Sequence, residues 1–261
     1  MAAPCGKGNF HPGAAPFGNF INYYTFNPPE NRLKLVPNTF LEDLVRDKCK
    51  SQPIVALDVG CNCGDLTVKL YDHVRCALGE KNDSSGGTNE DLHFLGCDLD
   101  DVLIQRANES NPYPGNLTFK VMDMMKKETQ QLICEYLEHH GRDKFDIVFC
   151  FSITMWIHMQ NGDRGLEEFL RLVSDYTDYL VIEPQPWKCY KSAVRRVNKL
   201  ELGEDYFAHY KSLKITGNVV DYIDKFLQEQ CRMKLLQCFG ETEWKRKVLL
   251  YQKLTKPVPV M

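Results

Sequence analysis

Residues 53–65 read PIVALDVGCNCGD. Ile54 to Leu57 form a short run with no polar face, and such a strand belongs inside a parallel sheet. The run ends at Asp58 and Gly60, and Asp65 to Leu78 has the apolar spacing of a helix. A buried strand, a glycine turn and a helix make the opening unit of an α/β fold. In that class, ligands gather at the carboxyl ends of the strands.

The turn itself excludes two common phosphate binders. A dinucleotide fingerprint needs glycines at the first, third and sixth loop positions, so that a pyrophosphate can sit on the helix N-terminus. Those positions here are Gly60, Asn62 and Asp65, and an aspartate there would repel the pyrophosphate. The Gly-Lys-Ser/Thr of a P-loop is also missing. What remains is acidic-x-Gly-x-x-x-Gly from Asp58 to Gly64, which resembles the turn of S-adenosylmethionine-dependent methyltransferases.

The alternation continues outward. LHFLGCD (92–98), LTFKVMD (117–123), FDIVFCFS (145–152) and LVIEP (180–184) read as further strands. Helices are predicted at 102–109, through about Glu138, and at 165–176, with another at 39–49 ahead of the first strand. The tail breaks the pattern. MKLLQCFG (233–240) and KRKVLLYQK (245–253) are separated only by GETEW, so they should pair as an antiparallel hairpin. The prediction is a mostly parallel seven-stranded sheet with a C-terminal antiparallel hairpin and helices on both faces. That Rossmann-like layout resembles class I methyltransferases. Residues 1–37, rich in Gly, Pro, Asn and aromatics, read as an arm lying over a single domain at 38–261. Residues 79–91 (GEKNDSSGGTNED) read as a flexible loop.

Composition narrows the function classes. The chain has 261 residues, 43% hydrophobic and 26% charged, a globular balance. No run approaches the roughly 18 apolar residues of a membrane span. The start, MAAPCGKGNFHPG, has no signal-peptide pattern, which points away from secretion. Eleven cysteines, odd in number and without a CxxC pair, argue against a disulfide framework or a zinc site. Reduced thiols place the chain in the cytoplasm or nucleus. A formal charge of −3 means that any nucleic acid must be held by a local patch.

The cofactor candidates follow from position. Gly60 and Gly64 allow close backbone approach, Asp58 can act through water or backbone, and Asn62 can reach the amino-acid part of S-adenosylmethionine. Asp98 ends the second strand, where a carboxylate can accept from both ribose hydroxyls. Asp100 and Asp101 are better read as caps of the next helix. Asp123 is placed for the adenine amino group, with Met124 on the ring. Leu99 and Phe151, at the ends of their strands, are counted with them.

On the substrate side, FCFSITMWIHMQNGDRG reads as a loop presenting Trp156 and His158 to the methyl position. His158 could be a general base, a phosphate donor or a structural residue. Pro184 and Pro186 are expected to fix an open loop. The helix behind it aligns Lys188, Lys191, Arg195 and Lys199 on one face, with Arg196 beside them. Trp187 and Tyr190 are candidates for stacking on a base.

Four segments carry a wider likeness: APFGNFINYYTFNPPENRLKLVP, LDVGCNCGDL, TMWIHMQNGDRGLEEFL and EPQPWKCYKSA. Together they resemble the Bicoid-interacting family of RNA methyltransferases, over nearly all of the chain beyond its first ten or so residues and the loop at 79–91. The likeness is greatest to members that methylate 5′-monophosphate ends. It implies microRNA precursors and cytoplasmic histidine transfer RNA as substrates, and a cytoplasmic enzyme without metal. It implies S-adenosyl-L-methionine as cofactor and S-adenosyl-L-homocysteine as product. It also makes Arg32 a partner of the cofactor carboxylate, and the arm through Tyr23 and Tyr24 a lid. On that footing His158, Lys188 and Lys191 orient the phosphate with help from Tyr23 or Tyr24, and Trp187, Tyr190, Arg195, Arg196 and Lys199 hold the RNA. The enzyme is expected to act as a monomer, away from membranes. A small-molecule methyltransferase and a non-catalytic RNA-binding protein of the same fold are the competing readings.

Overall fold

The computed structural model describes residues 17–20, 23–48, 52–78, 92–203 and 206–254. In chain order the elements are α1 (Tyr23–Phe26), α2 (Glu30–Leu33), α3 (Asn38–Lys48), β1 (Ile54–Val59), α4 (Asp65–Ala77), β2 (Leu92–Asp98), α5 (Asp101–Glu109), β3 (Leu117–Val121) and α6 (Glu128–His139). They continue with β4 (Phe145–Phe151), α7 (Thr154–Asp175), β5 (Thr177–Glu183), α8 (Trp187–Lys199), α9 (Val219–Glu229), β6 (Met233–Glu241) and β7 (Lys247–Lys253). The loop predicted at 79–91 falls outside the described residues, as do residues 1–16 and 21–22 of the arm.

All seven strands form one sheet in the order β3-β2-β1-β4-β5-β7-β6. Strands β1 to β5 are parallel, and β7 runs antiparallel to both β5 and β6. The strand order reverses between β1 and β4, so the crevice above their carboxyl ends is where a ligand belongs. Every residue of β1 and β4 is buried. Alternate β1 residues feed opposite layers, as a period of two requires. Ile54 and Ala56 join Leu41, Leu70 and Ile104 from α3, α4 and α5. Val55, Leu57 and Val59 join Ile133, Phe169, Val197 and Ile223 from α6 to α9.

Several boundaries differ from the prediction. Strand β3 stops at Val121, leaving Met122 and Asp123 in the turn beyond it. The segment after β4 is not a loop: α7 begins at Thr154 and absorbs TMWIHMQN, bending at Gly162, where φ is 72°. The proline pair does not open a loop either. Pro184 and Gln185 are buried, and α8 starts directly after Pro186. Gln185 Oε1 accepts from Thr154 Oγ1 at 2.9 Å and from the Met155 N–H at 3.0 Å, so it caps the orphan donors of α7. Helix α9 was not anticipated. Its buried Val219, Ile223, Phe226 and Leu227 recur at helical spacing and pack it beneath the hairpin.

Two further predictions concern surface and thiols. Among the described residues no helix is long and apolar enough to cross a membrane, and the nine described cysteines are free thiols.

Candidate active site

A cavity of about 170 Å³ opens at the carboxyl ends of β1, β2 and β4. The N-terminal arm covers it with Phe17, Gly18, Asn19, Tyr23 and Tyr24. Gly18 lets the arm lie flat on α7, since a Cβ there would sit 2.2 Å from Trp156 Nε1. Two amides pin the arm down. Asn19 Nδ2 donates to Asp100 Oδ2 at 2.6 Å, and Asn62 Nδ2 donates to the Phe20 carbonyl at 3.0 Å.

Most of the predicted cofactor residues meet in this cavity: Arg32, Asp58, Gly60, Asn62, Asp98, Leu99, Asp123, Met124 and Phe151 all line it. The Gly60 and Cys61 N–H groups donate to the Cys97 carbonyl at 2.8 and 2.9 Å, which ties the glycine turn to the end of β2. Gly60 has φ 77°, and a Cβ on it would lie 2.4 Å from Ile153 Cγ2. Only glycine fits there. Asp98 accepts the Asn62 N–H on Oδ2 (3.0 Å) and the Asp100 N–H on Oδ1 (3.1 Å). Asp100 itself caps α5 by accepting from Val102 and Leu103.

Two glycine-turn residues have roles within the protein. The Asn62 amide accepts from the Cys63 N–H at 2.8 Å and donates to the Phe20 carbonyl, fastening turn to arm, while still lining the cavity. Gly64 does not line the cavity; a Cβ on it would meet Phe119 Cζ at 2.8 Å, so it serves the packing of α4 against β3.

Asp58 is buried and accepts from Thr67 Oγ1 at 2.7 Å. Burial, opposed by Thr67 and by the charge of Arg32, pushes its carboxyl up to about 7. A carboxyl whose folded value exceeds its unfolded value of about 3.9 costs stability progressively as pH rises from roughly 4 through 7. Asp58→Asn, which keeps an acceptor for Thr67, should therefore stabilise the free protein at pH 8 by on the order of 2 kcal/mol. Denaturant titration at pH 5 and pH 8 measures this. Equal stabilities of variant and parent at pH 8 would count against a strained charge.

Arg32 is the largest fully buried side chain near the cavity. It donates from Nε to Glu183 Oε2 at 2.7 Å, and from Nη2 to Tyr23 Oη at 2.7 Å and Ser152 Oγ at 2.9 Å. Its guanidinium also lies 5.0 Å from the Trp244 ring. The same Glu183 accepts from Trp244 Nε1 at 2.6 Å and pairs with Arg246 at 3.6 Å. Sequence reading missed Ser152, Glu183, Trp244 and Arg246. The one local sign was Trp and Arg inside the GETEWKRK turn.

The predicted substrate residues do not assemble in the same way. His158, on α7, is fully buried between Tyr190 Oη (3.0 Å from Nδ1) and Asp163 Oδ1 (2.8 Å from Nε2). Burial holds its pKa below the ordinary value despite Asp163. It fastens α7 to α8 and does not reach the cavity. Tyr190 is equally buried, so it offers no face to a base. Trp187 stacks on Tyr210 at 5.7 Å and packs on Tyr190 at 4.8 Å. Lys188, Lys191, Arg195 and Lys199 are exposed on α8, and none lines the cavity. Among the described residues no cluster of His, Cys, Asp and Glu suits a metal ion.

The profile of the Bicoid-interacting protein 3 (Bin3) family matches residues 145–253, from β4 to the end of β7. A pre-miRNA 5′-monophosphate methyltransferase of Danio rerio is 43% identical over 244 residues, 93% of this chain and 94% of that protein. The RNA 5′-monophosphate methyltransferase of Homo sapiens is 46% identical over 253 residues, 95% of this chain and 85% of that protein. This chain belongs to the Bin3 family. The part matched by the Bin3 profile carries Ser152, Glu183, Trp244 and Arg246, whereas the glycine turn and the arm precede it. The Bin3 chain shares its fold with solved methyltransferases of low sequence identity. The CurJ carbon methyltransferase superposes with a TM-score of 0.55 at 14% identity, over 90% of this chain and 57% of that one. The N-methyltransferase NodS of Bradyrhizobium japonicum, in complex with S-adenosyl-L-homocysteine, gives 0.52 at 12%, over 89% and 91%.

Proposed function

We propose that this chain methylates the 5′-monophosphate of RNA, using S-adenosyl-L-methionine and releasing S-adenosyl-L-homocysteine. The observation that carries the reading is the cavity itself. A carboxylate able to take a vicinal diol ends β2, apolar Leu99, Met124 and Phe151 line the wall beyond it, and Arg32 lines the cavity with Ser152. Relatives more than 40% identical along most of the chain are named for this activity. The cofactor, when bound, supplies a methyl group made electrophilic by a sulfonium. Asp98 is set to hold the ribose, and Gly60 gives the backbone clearance that the cofactor needs.

The chemistry asks little of the protein in proton transfer. A phosphate monoester has its second pKa near 6 and is already a nucleophilic anion at neutral pH. A cavity without histidine among the described residues of its wall therefore suits this substrate. The protein contributes alignment, potentially worth several kcal/mol, and the arm excludes water from the reacting oxygen. We place the enzyme in the cytoplasm, as a monomer, with the arm as its lid.

The test is a set of RNAs of one sequence ending in 5′-hydroxyl, mono-, di- or triphosphate, incubated with labelled cofactor. Label should enter the monophosphate RNA and be released with the phosphate by phosphatase. Label in the 5′-hydroxyl RNA, or in none of them, would overturn the reading.

A further inference from the structure

Glu183 has more cations around it than it can neutralise. Arg32 takes one carboxylate oxygen and Arg246 approaches the other. Arg246 also donates from Nη1 to Ser152 Oγ at 2.5 Å, and Ser152 forms part of the cavity wall. The Nε of Arg246 is shut off from solvent and has no partner. A buried donor left unsatisfied is uncommon in folded proteins.

A third guanidinium arrives from α8. Arg196 lies over the Phe20 ring at 5.9 Å, and Phe20 packs edge-on against Trp156, which lines the cavity. Among the described residues Arg196 has no carboxylate partner. Partial burial pulls its pKa below the ordinary value, opposed by Cys189 and helped by the charge of Arg246. The carboxylates Asp58 and Asp98 stand toward the glycine turn. Arg32 and Arg246 share the one carboxylate of Glu183, a formal excess of one positive charge, and Arg196 adds a further cation on the arm side. Neither Arg246 nor Arg196 lines the cavity itself; Arg246 reaches its wall through Ser152, and Arg196 through Phe20 packed on Trp156.

We propose that Arg246 and Arg196 together hold the terminal phosphate of the RNA, Arg246 from the hairpin and Arg196 from across the arm. A phosphate monoester is close to a dianion at neutral pH and matches that excess. Two planar forks can bind the two oxygens that do not react and leave the third unprotected. This role replaces the one expected of His158, Lys188 and Lys191, and it rests on the reading of the chain as a 5′-monophosphate methyltransferase.

The experiment compares binding of one RNA oligonucleotide with a 5′-phosphate or a 5′-hydroxyl, by fluorescence anisotropy with S-adenosyl-L-homocysteine present. The parent should prefer the phosphate by about tenfold or more. Arg196→Gln, at an exposed position, and Arg246→Lys, which keeps the charge beside Glu183, should each shrink that preference, and the double variant should bring it close to one. Cofactor affinity by calorimetry should change by less than about twofold in both single variants. An undiminished preference in both single variants overturns the assignment, as does weakened cofactor binding with the preference intact, which would assign the arginines to the cofactor carboxylate. A parent that neither prefers the 5′-phosphate nor methylates it overturns the functional reading and the assignment with it.

Discussion

Asp98→Ala should weaken binding of S-adenosyl-L-methionine by about a hundredfold or more while leaving the fold intact. Each Asp98 oxygen already accepts one backbone N–H, from Asn62 and from Asp100. Those bonds fix the carboxylate plane and leave lone pairs on both oxygens for a vicinal diol. Two hydrogen bonds to a charged acceptor contribute about 1.5–3 kcal/mol each, which sets the size of the loss. Burial raises the Asp98 carboxyl above the ordinary value, against the opposing N–H groups of Asp100, Asn62 and Leu99. Isothermal titration gives the affinity, and circular dichroism checks the fold. Asp98→Asn, which retains one acceptor, should fall between variant and parent. Unchanged affinity in Asp98→Ala would remove the ribose contact from the account.

The second large effect concerns stability. Glu183→Ala should cost about 3–5 kcal/mol, because it leaves the guanidinium groups of Arg32 and Arg246 buried beside no carboxylate. Arg32 and Glu183 are 1% and 0% exposed, so solvent cannot take over the lost partner. In a chain of this size the melting temperature should fall by roughly 10 °C. Glu183→Gln keeps one acceptor oxygen in place of two and should cost less than Glu183→Ala. Chemical denaturation of the three proteins decides it. A loss in Glu183→Ala below about 1 kcal/mol would mean that the cluster is open to water.

The cofactor half of the site was legible because its determinants are local. Asp58, Gly60 and Gly64 belong to one turn, and Asp98 and Asp123 follow strands whose apolar runs are unambiguous. The substrate half was not. His158 looked available because its segment was taken as a loop. Once α7 begins at Thr154, that position turns inward against Tyr190. The lysines of α8 are exposed, and none of them lines the cavity. The Glu183 cluster joins residues 151 and 61 positions apart in sequence, a pairing only the folded sheet creates. The apolar spacing of Val219, Ile223, Phe226 and Leu227 is that of a helix, so α9 is written in its sequence as well.

The place of β7 bears on how the chain is made. It follows the other six described strands in the chain, yet it lies between β5 and β6. Until residues 247–253 have been made, β5 is an open edge and β6 has no neighbour on which to pair. The same stretch brings in Arg246, so Glu183 and Arg32 wait for it too. A nascent chain lacking its final strand thus carries an unpaired edge of the kind that invites aggregation. Completion of the sheet and closure of the Arg246–Glu183–Arg32 cluster become a single event.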